Sequence, residues 1–271
     1  MADSAPRNRE PEIDTSVAHA SRVYDYFLGG TTNFEVDRAA AGHLADAIGG
    51  LDVAQAHVRA NRAFLVRAVR RLCGEGIRQF LDIGTGVPND TNTHAVAQEC
   101  APESRIVCVD NDPIVLAHAH QLITSTPEGA AAFIDADLRN PDDIVTQAAA
   151  TLDFTQPIAV MLVSIVHALG DHDDRYRLVA TIVDALPSGS YLAMSHLASD
   201  VTPAETKEAI RRLNENAKET YVLCSAADFA RFFDGLELID PGITRVDQWG
   251  HDETEPPDEV TPFHAGVARK P

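Results

Sequence analysis

Two glycines and two acidic residues, placed at the ends of successive apolar runs, carry the chemistry that this chain can be read for. Gly84 and Gly86 follow Phe80-Leu81-Asp82-Ile83, Asp110 closes Arg105-Ile106-Val107-Cys108-Val109, and Asp137 stands in Ile134-Asp135-Ala136-Asp137-Leu138. An apolar strand, a glycine turn, a helix and a second strand ending in an acid is how a parallel sheet presents a nucleoside-bearing ligand. Asp110, with Asn111 beside it, can accept hydrogen bonds from both ribose hydroxyls, because one carboxylate serves two donors. Asp137 lies where an adenine amino group needs an acceptor, and Leu138 adds a backbone donor and an apolar contact.

The spacing also says which nucleoside ligand is poorly served. A dinucleotide site uses three glycines, the third for close helix packing under the pyrophosphate. Here the third position is Asn89, preceded by Pro88. A ligand with a nucleoside and a short amino-acid tail needs the close-approach glycines and places no diphosphate on the helix N-terminus. An NAD-dependent oxidoreductase is therefore the weaker reading.

The elements that must position these residues are legible from periodicity. Val17, Ala20, Val23, Tyr24 and Phe27 recur at helical spacing over Thr15 to Leu28, ended by Gly29-Gly30. A second helix is expected from Val36 to Ile48. A third carries the stripe Val53, Ala56, Ala60, Phe64, Ala68 and Leu72, with its arginines mostly off that stripe. After Gly76 strands are expected at Gln79 to Ile83, Arg105 to Asp110, Ala131 to Asp135, Ile158 to Ile165 and Ser190 to Ser195. Helix-length segments between them imply a parallel sheet with right-handed crossovers. Asp112-Pro113 and Asn140-Pro141 each set a capping residue before a proline at the first helical position. Helices at Pro203 to Lys218 and Ala226 to Phe233 precede two late strands, Leu236 to Ile239 and Phe263 to Arg269, with a loop over the acidic, proline-rich run His251 to Glu259 between them.

Composition bounds the partners. A formal net charge of −19 argues against a nucleic-acid binder, since phosphate neutralisation needs clustered Lys and Arg. No apolar run approaches the roughly 20 residues of a membrane span. Met1 to Pro11 is polar and reads as a short disordered tail without a signal segment, so a cytoplasmic protein is expected. Cys73, Cys100, Cys108 and Cys224 have no metal-ligand spacing and read as reduced packing residues.

Taken together, these motifs resemble the class I S-adenosylmethionine-dependent methyltransferases, and more closely one bacterial family, the S-adenosyl methyltransferases of largely unassigned substrate. The resemblance runs through Ser16-Val17-Ala18, Ser21-Arg22-Val23-Tyr24-Asp25-Tyr26-Phe27-Leu28-Gly29-Gly30, Asn33-Phe34 and Asp37-Arg38. It continues in Arg59, Asn61, Arg62, Phe64, Leu65, Arg67, Ala68 and Val69, and in Phe80 to Pro88, Val109 to Pro113, Asp135 to Pro141 and Phe232 to Leu238. It implies a Rossmann-like α/β fold with a mostly parallel seven-stranded sheet, a C-terminal antiparallel strand and an N-terminal helical lid. The division implied is a tail over 1–13, a lid over 14–75 and a cofactor domain over 76–271. Relatives often carry an aromatic where this chain reads Val166-His167-Ala168-Leu169-Gly170-Asp171, so an aromatic contact to the cofactor base is expected to be missing.

The cofactor implied is S-adenosylmethionine, with Asp82, Gly84, Gly86, Asp110, Asn111, Asp137, Leu138 and Ser164 on the sheet side. Asp82 either orients the loop toward the methionine amine or simply caps the turn. From the lid, Tyr24, Gly29 and Asn33 are expected to cover the cofactor, since glycine pairs suit a backbone that approaches a ligand closely. Arg59 and Arg62 either clamp the methionine carboxylate or lie on a solvated face. His167, after the fourth strand, is the candidate general base, with an unperturbed pKa of about 6.5; the alternative is a histidine satisfying local backbone groups. His196 and Asp171 have the same two readings. Asp171-His172-Asp173-Asp174 reads as a helix-capping loop, and no metal is expected. The activity implied is in-line methyl transfer to a small-molecule oxygen or nitrogen nucleophile. A non-catalytic S-adenosylmethionine-binding protein is the alternative. The oligomeric state is not legible.

Overall fold

The computed structural model describes residues 14–122, 124–170, 174–215, 220–251 and 261–271. The expected tail, the run 252–259 and Asp171-His172-Asp173 lie outside the described residues. Three helices come first: α1 (Ala20–Phe27), α2 (Glu35–Ile48) and α3 (Leu51–Gly74). Alternation follows through β1 (Gln79–Ile83), α4 (Thr93–Cys100), β2 (Arg105–Asp110), α5 (Pro113–Leu122), β3 (Ala130–Asp135), α6 (Pro141–Ala148), β4 (Ala159–Val163), α7 (Arg175–Asp184) and β5 (Tyr191–Leu197). The chain ends with α8 (Ala204–Asn214), α9 (Ala226–Ala230), β6 (Glu237–Leu238), β7 (Thr244–Arg245) and β8 (Phe263–Arg269).

The sheet order is β3-β2-β1-β4-β5-β8-β6, with β7 also paired to β8. β1 to β5 are parallel and β8 runs antiparallel against β5, with Leu192 opposite Ala268 and His196 opposite His264. The strand count is eight rather than seven because the outer edge is split. β6 pairs Glu237 and Leu238 with Arg269 and Ala268, whereas β7 pairs Thr244 and Arg245 with Ala265 and His264. The segment between the two leaves the ladder at the turn around Gly242, whose φ is +80°.

Side-chain alternation along the strands builds two cores. Leu81, Val107, Val160 and Leu192 pack on one face with α6, α7 and Phe229. Phe80, Ile106, Met161 and Ala193 pack on the other with Phe64, Leu65, Ala68 and Leu72 of α3. The C-terminal half of α3 is thus a sheet-covering helix, with Trp249 edge-on to Phe64 at 5.4 Å between ring centroids. Its N-terminal half joins α1 and α2 in a smaller core of Val23, Phe27, Ala41, Ala45, Ala54 and Val58.

Local signals mostly act as read. Asp112 caps α5 by accepting from the N–H of Ile114 at 3.0 Å. Asn140 precedes Pro141 at the start of α6 but makes no side-chain cap bond. α1 begins at Ala20, shorter than the periodic stretch, because the chain from 14 to 19 is bound to other elements instead. The four cysteines are free; Cys73, Cys108 and Cys224 are buried and Cys100 is exposed.

Candidate functional site

The C-terminal ends of β1 to β5 open into a cavity of about 210 Å³ covered by α1, α2, the first half of α3, and α8. Sheet topology places it there: the order reverses between β1 and β4, and crossovers leaving to opposite faces part at that point. Gly84 has φ +76° and Gly86 φ +68°, both in the left-handed region. A Cβ on Gly84 would lie 2.7 Å from the Ile165 side chain, while one on Gly86 would meet nothing within 4 Å. The first glycine is needed for packing against the loop after β4. The second leaves backbone bare toward the cavity.

Asp110 closes the turn from the neighbouring strand. Its Oδ2 accepts from the Gly86 N–H at 2.8 Å and its Oδ1 from the Asp112 N–H at 3.0 Å. Burial pushes the carboxyl up to about 6, against these two hydrogen bonds and the charge of His19. A carboxylate offers about four acceptor positions, so two remain for a ligand diol. Asp82 is also pushed up by burial, opposed first by the Thr85 hydroxyl, which donates to it at 2.8 Å. Asp137 accepts from the Arg139 N–H at 2.8 Å and from the Asn111 amide at 3.0 Å. Asn111 and Leu138 line the same wall.

The helical cover is tied down by charge. Asp112 accepts from the Ser21 hydroxyl at 2.6 Å, lies 3.0 Å from His19 Nδ1 and 3.5 Å from Arg22 Nε. Arg22 Nε lies 3.6 Å from the fully buried Asp37, whose two oxygens also accept the N–H groups of His19 and Phe34. Burial opposes ionisation of Asp112, but the hydrogen bond and charge of His19, with the Ser21 hydroxyl and the Ile114 N–H, bring it down to about 2.

Beneath the cover runs a chain of buried hydrogen bonds. The Asn61 amide donates to the Tyr24 hydroxyl at 2.9 Å, and that hydroxyl donates to the Val58 carbonyl at 3.3 Å. On the other side, Ser195 donates to Asn61 Oδ1 at 2.6 Å and accepts from the Ser164 N–H at 3.0 Å. Ser164 has φ +62°, the one non-glycine in the left-handed region among the described residues. The network holds that strained residue at the end of β4. Arg62 lies over the Tyr24 ring at 5.4 Å, and its buried Nε has no partner among the described residues.

His167 lies in a 3-10 turn, Val166–Ala168, directly after β4. It is 5 % exposed, and its Nδ1 has no hydrogen-bond partner among the described residues. Burial, then the nearby His196 and Arg175, hold it well below its ordinary range, so the imidazole is neutral. His196 lies edge-on at 5.7 Å but faces its own backbone, with Nδ1 2.8 Å from the Leu197 carbonyl.

The cavity thus gathers Tyr24, Arg62, Asp82, Gly84, Gly86, Asp110, Asn111, Asp137, Leu138, Ser164 and His167. Gly29, Asn33 and Arg59 are not brought to it. Gly29, at φ +84°, is exposed and ends α1, which is the use of its glycine. Asn33 fastens the loop after α1, donating to Asp25 Oδ2 at 2.9 Å and accepting from Arg38 at 3.0 Å. Arg59 is three residues from Arg62, about 300° around the helix, and is exposed and bonded to Gln55 at 2.7 Å. His19, Asn61 and α8 went unnoticed as site components. Asn61, a polar residue with no exposed surface on the apolar side of α3, carried the signal.

A family model described as S-adenosyl methyltransferase matches residues 6–271. A DUF574 family protein from Streptomyces avermitilis is 42 % identical, with 96 % of this chain and 100 % of that one covered and a TM-score of 0.89. A protein from Thermobifida fusca, assigned provisionally as a methyltransferase, is 39 % identical over 95 % of this chain and 96 % of its own, with a TM-score of 0.84. At 16 % identity, an O-methyltransferase family protein from Burkholderia thailandensis shares the fold, with a TM-score of 0.52 over 81 % of this chain and 60 % of its own. No curated protein matches the chain. Among the described residues no helix is long and apolar enough to cross a membrane, and no group of three or more His, Cys, Asp or Glu could hold a metal ion.

Proposed function

The chain belongs to the S-adenosyl methyltransferase family, and from that premise we propose that its cavity carries out in-line methyl transfer to a small-molecule nucleophile. S-adenosylmethionine supplies a methyl group on a positively charged sulfur, already activated for displacement. The residues present fit that cofactor: Gly86 bares its backbone, Asp110 keeps two acceptor positions, and Arg62 offers a guanidinium with a buried unpartnered Nε. In this reading Asp110 takes the ribose hydroxyls, Asp137, Asn111 and Leu138 the base, and Arg62 with Asp82 the amino-acid end. Tyr24 and Ser164, joined through Asn61 and Ser195, hold the wall against which the methyl group is aligned.

Alignment carries much of the catalysis, since holding reactants in near-attack geometry can remove about 7–11 kcal/mol of barrier. The observation that supports a small-molecule acceptor is the helical cover, which encloses the cavity between α1, α2, α3 and α8. His167 accepts the hydrogen bond of the nucleophile and receives its proton once the new bond has formed.

Thermal unfolding with S-adenosylhomocysteine or NAD tests the cofactor reading, and consumption of S-adenosylmethionine with metabolite extracts tests the reaction. Stabilisation by S-adenosylhomocysteine with extract-dependent consumption is expected. Stabilisation by NAD alone would replace the reading with an oxidoreductase, and binding without consumption by any extract would leave a binding protein.

A further inference from the structure

The cavity has two chemically distinct arms. Its charged lining residues, Arg62, Asp82, Asp110, Asp137 and Arg139, lie at the ends of β1 to β3 or, for Arg62, act electrostatically on Asp82. The other arm runs past the ends of β4 and β5 beneath α1, α2 and α8. It is lined by Val23, Phe27, Leu44, Ile48, Ile210 and Phe263, and none of its described lining residues is Asp, Glu, Lys or Arg. Leu44 and Ile48 pack against the small helical core and remain half-buried where they line the cavity. His167 stands at the junction, 95 % buried by its 5 % exposure, with an unpartnered Nδ1.

We propose that the second arm is the acceptor site and takes an uncharged, largely apolar small molecule bearing one hydroxyl group, an aromatic or alicyclic alcohol whose O–H is presented to His167. This rests on the methyl-transfer reading above. A carboxylate, phosphate or ammonium placed there would be desolvated among apolar side chains with no charged lining residue to pair with it; Arg175, which acts electrostatically on His167, is not among the lining residues. Aliphatic amines, with pKa values of about 10, are ammonium ions near neutral pH, whereas alcohols and phenols are neutral. A mostly apolar pocket with a few polar groups, here His167 with Thr202, Thr206 and Tyr221, is also the usual design of a specific ligand site.

The step balances. A lone pair on the hydroxyl oxygen forms the new O–CH3 bond as the S–CH3 bond breaks, and the S–C bonding pair stays on sulfur, which turns from sulfonium to neutral thioether. The oxygen, cationic once methylated, loses its proton to the His167 imidazole, which later returns it to solvent. A strongly acidic protonated ether gives up its proton even to an imidazole weakened as a base by burial, so His167 needs only to be neutral and in reach.

Calorimetry on the full chain with 2-naphthol and with 6-hydroxy-2-naphthoate, which adds one carboxylate to the same rings, tests this with and without S-adenosylhomocysteine. 2-Naphthol should bind at least tenfold more tightly than the naphthoate. Leu44→Asp should weaken 2-naphthol at least tenfold while the affinity for S-adenosylhomocysteine stays within twofold. Thr206→Trp, a change on the half-buried face of α8 that fills the same arm, should weaken both naphthyl ligands and serves if the first variant does not fold. Equal or tighter binding of the naphthoate, no binding of 2-naphthol, or no effect of either variant overturns the proposal. If 2-naphthol keeps its preference but S-adenosylhomocysteine does not bind, the methyl-transfer reading fails and the apolar site stands.

Discussion

Asp110 holds Gly86 from the adjacent strand, its Oδ2 accepting the glycine N–H at 2.8 Å, so the acid at the end of β2 shapes the turn at the end of β1. One carboxylate therefore serves both the loop and the proposed ribose site. Asp110→Ala should weaken S-adenosylhomocysteine binding by about 1.5–3 kcal/mol, the range for a hydrogen bond to a charged group. Calorimetry decides it, and unchanged affinity removes Asp110 from the site.

The same residue gives cofactor binding a pH dependence. With its carboxyl raised to about 6 by burial, Asp110 gains a proton as the pH falls through about 6 and loses acceptor capacity. Affinity for S-adenosylhomocysteine should drop between pH 7 and pH 5, and Asp110→Asn should flatten that profile. A wild-type profile already flat over this range contradicts the assignment.

Asp112 has the opposite sign. Its carboxyl sits at about 2 in the folded protein, below the ordinary value of about 3.9. Its contribution to stability is thus fully present above about pH 4 and is lost as the pH falls through about 2. Asp112→Asn leaves the buried Arg22 with one carboxylate neighbour, Asp37, and should cost about 3–5 kcal/mol near neutral pH. Urea unfolding of both proteins should show this gap narrowing below pH 4; a gap constant down to pH 2 would assign the effect to packing.

Much of this was legible because periodicity and spacing are local. Short continuous apolar runs, buried on both faces and separated by helix-length segments, located β1 to β5, and acids at their ends located Asp110 and Asp137, since the sheet register brings those ends together automatically. What stayed hidden depends on contacts made across the chain. Arg59 and Arg62 carry the same chemistry, and only the rotation of α3 against the sheet turns one into the cavity and the other to solvent. Gly29 and Asn33 form the turn their residue types suit, but Asp25 and Arg38 use it to close a loop. β7 is two residues long and has no pattern of its own; it exists because β8 offers Ala265 and His264 beside it. The apolar arm draws residues from α2 and α8, which are about 160 positions apart, so no window of sequence contains it.

Gly84→Ala would place a Cβ 2.7 Å from Ile165 at a φ of +76°. The left-handed backbone alone costs roughly 1–2 kcal/mol for an L-residue. Destabilisation beyond that figure is expected in denaturant unfolding. Combining it with Ile165→Ala should relieve the overlap with Cγ1 and Cδ1 but neither that with the Ile165 Cβ at 2.9 Å nor the backbone strain, a partial coupling that a double-mutant cycle reads directly. Strict additivity would show that the two sites do not touch.

Asn61→Leu removes both halves of a buried amide and leaves the Ser195 hydroxyl without its acceptor. Stranding a buried polar group costs about 1–3 kcal/mol. The readout beyond stability is kcat with the acceptor: loss of the tie to Ser164 should lower it, while Kd for S-adenosylhomocysteine changes little. A loss of stability alone, with kcat intact, would make Asn61 only a packing residue.

α3 belongs to two bodies at once, its first turns to the helical cover and its last turns to the sheet. A roof whose rafter is also a floor beam cannot be lifted whole. Gly49 and Gly50, at φ +111° and +117°, are the joint between rafter and roof. What fastens the roof to the sheet side is Asp112, through Ser21, His19 and Arg22, whereas the Arg22–Asp37 contact lies within the roof and joins α1 to α2.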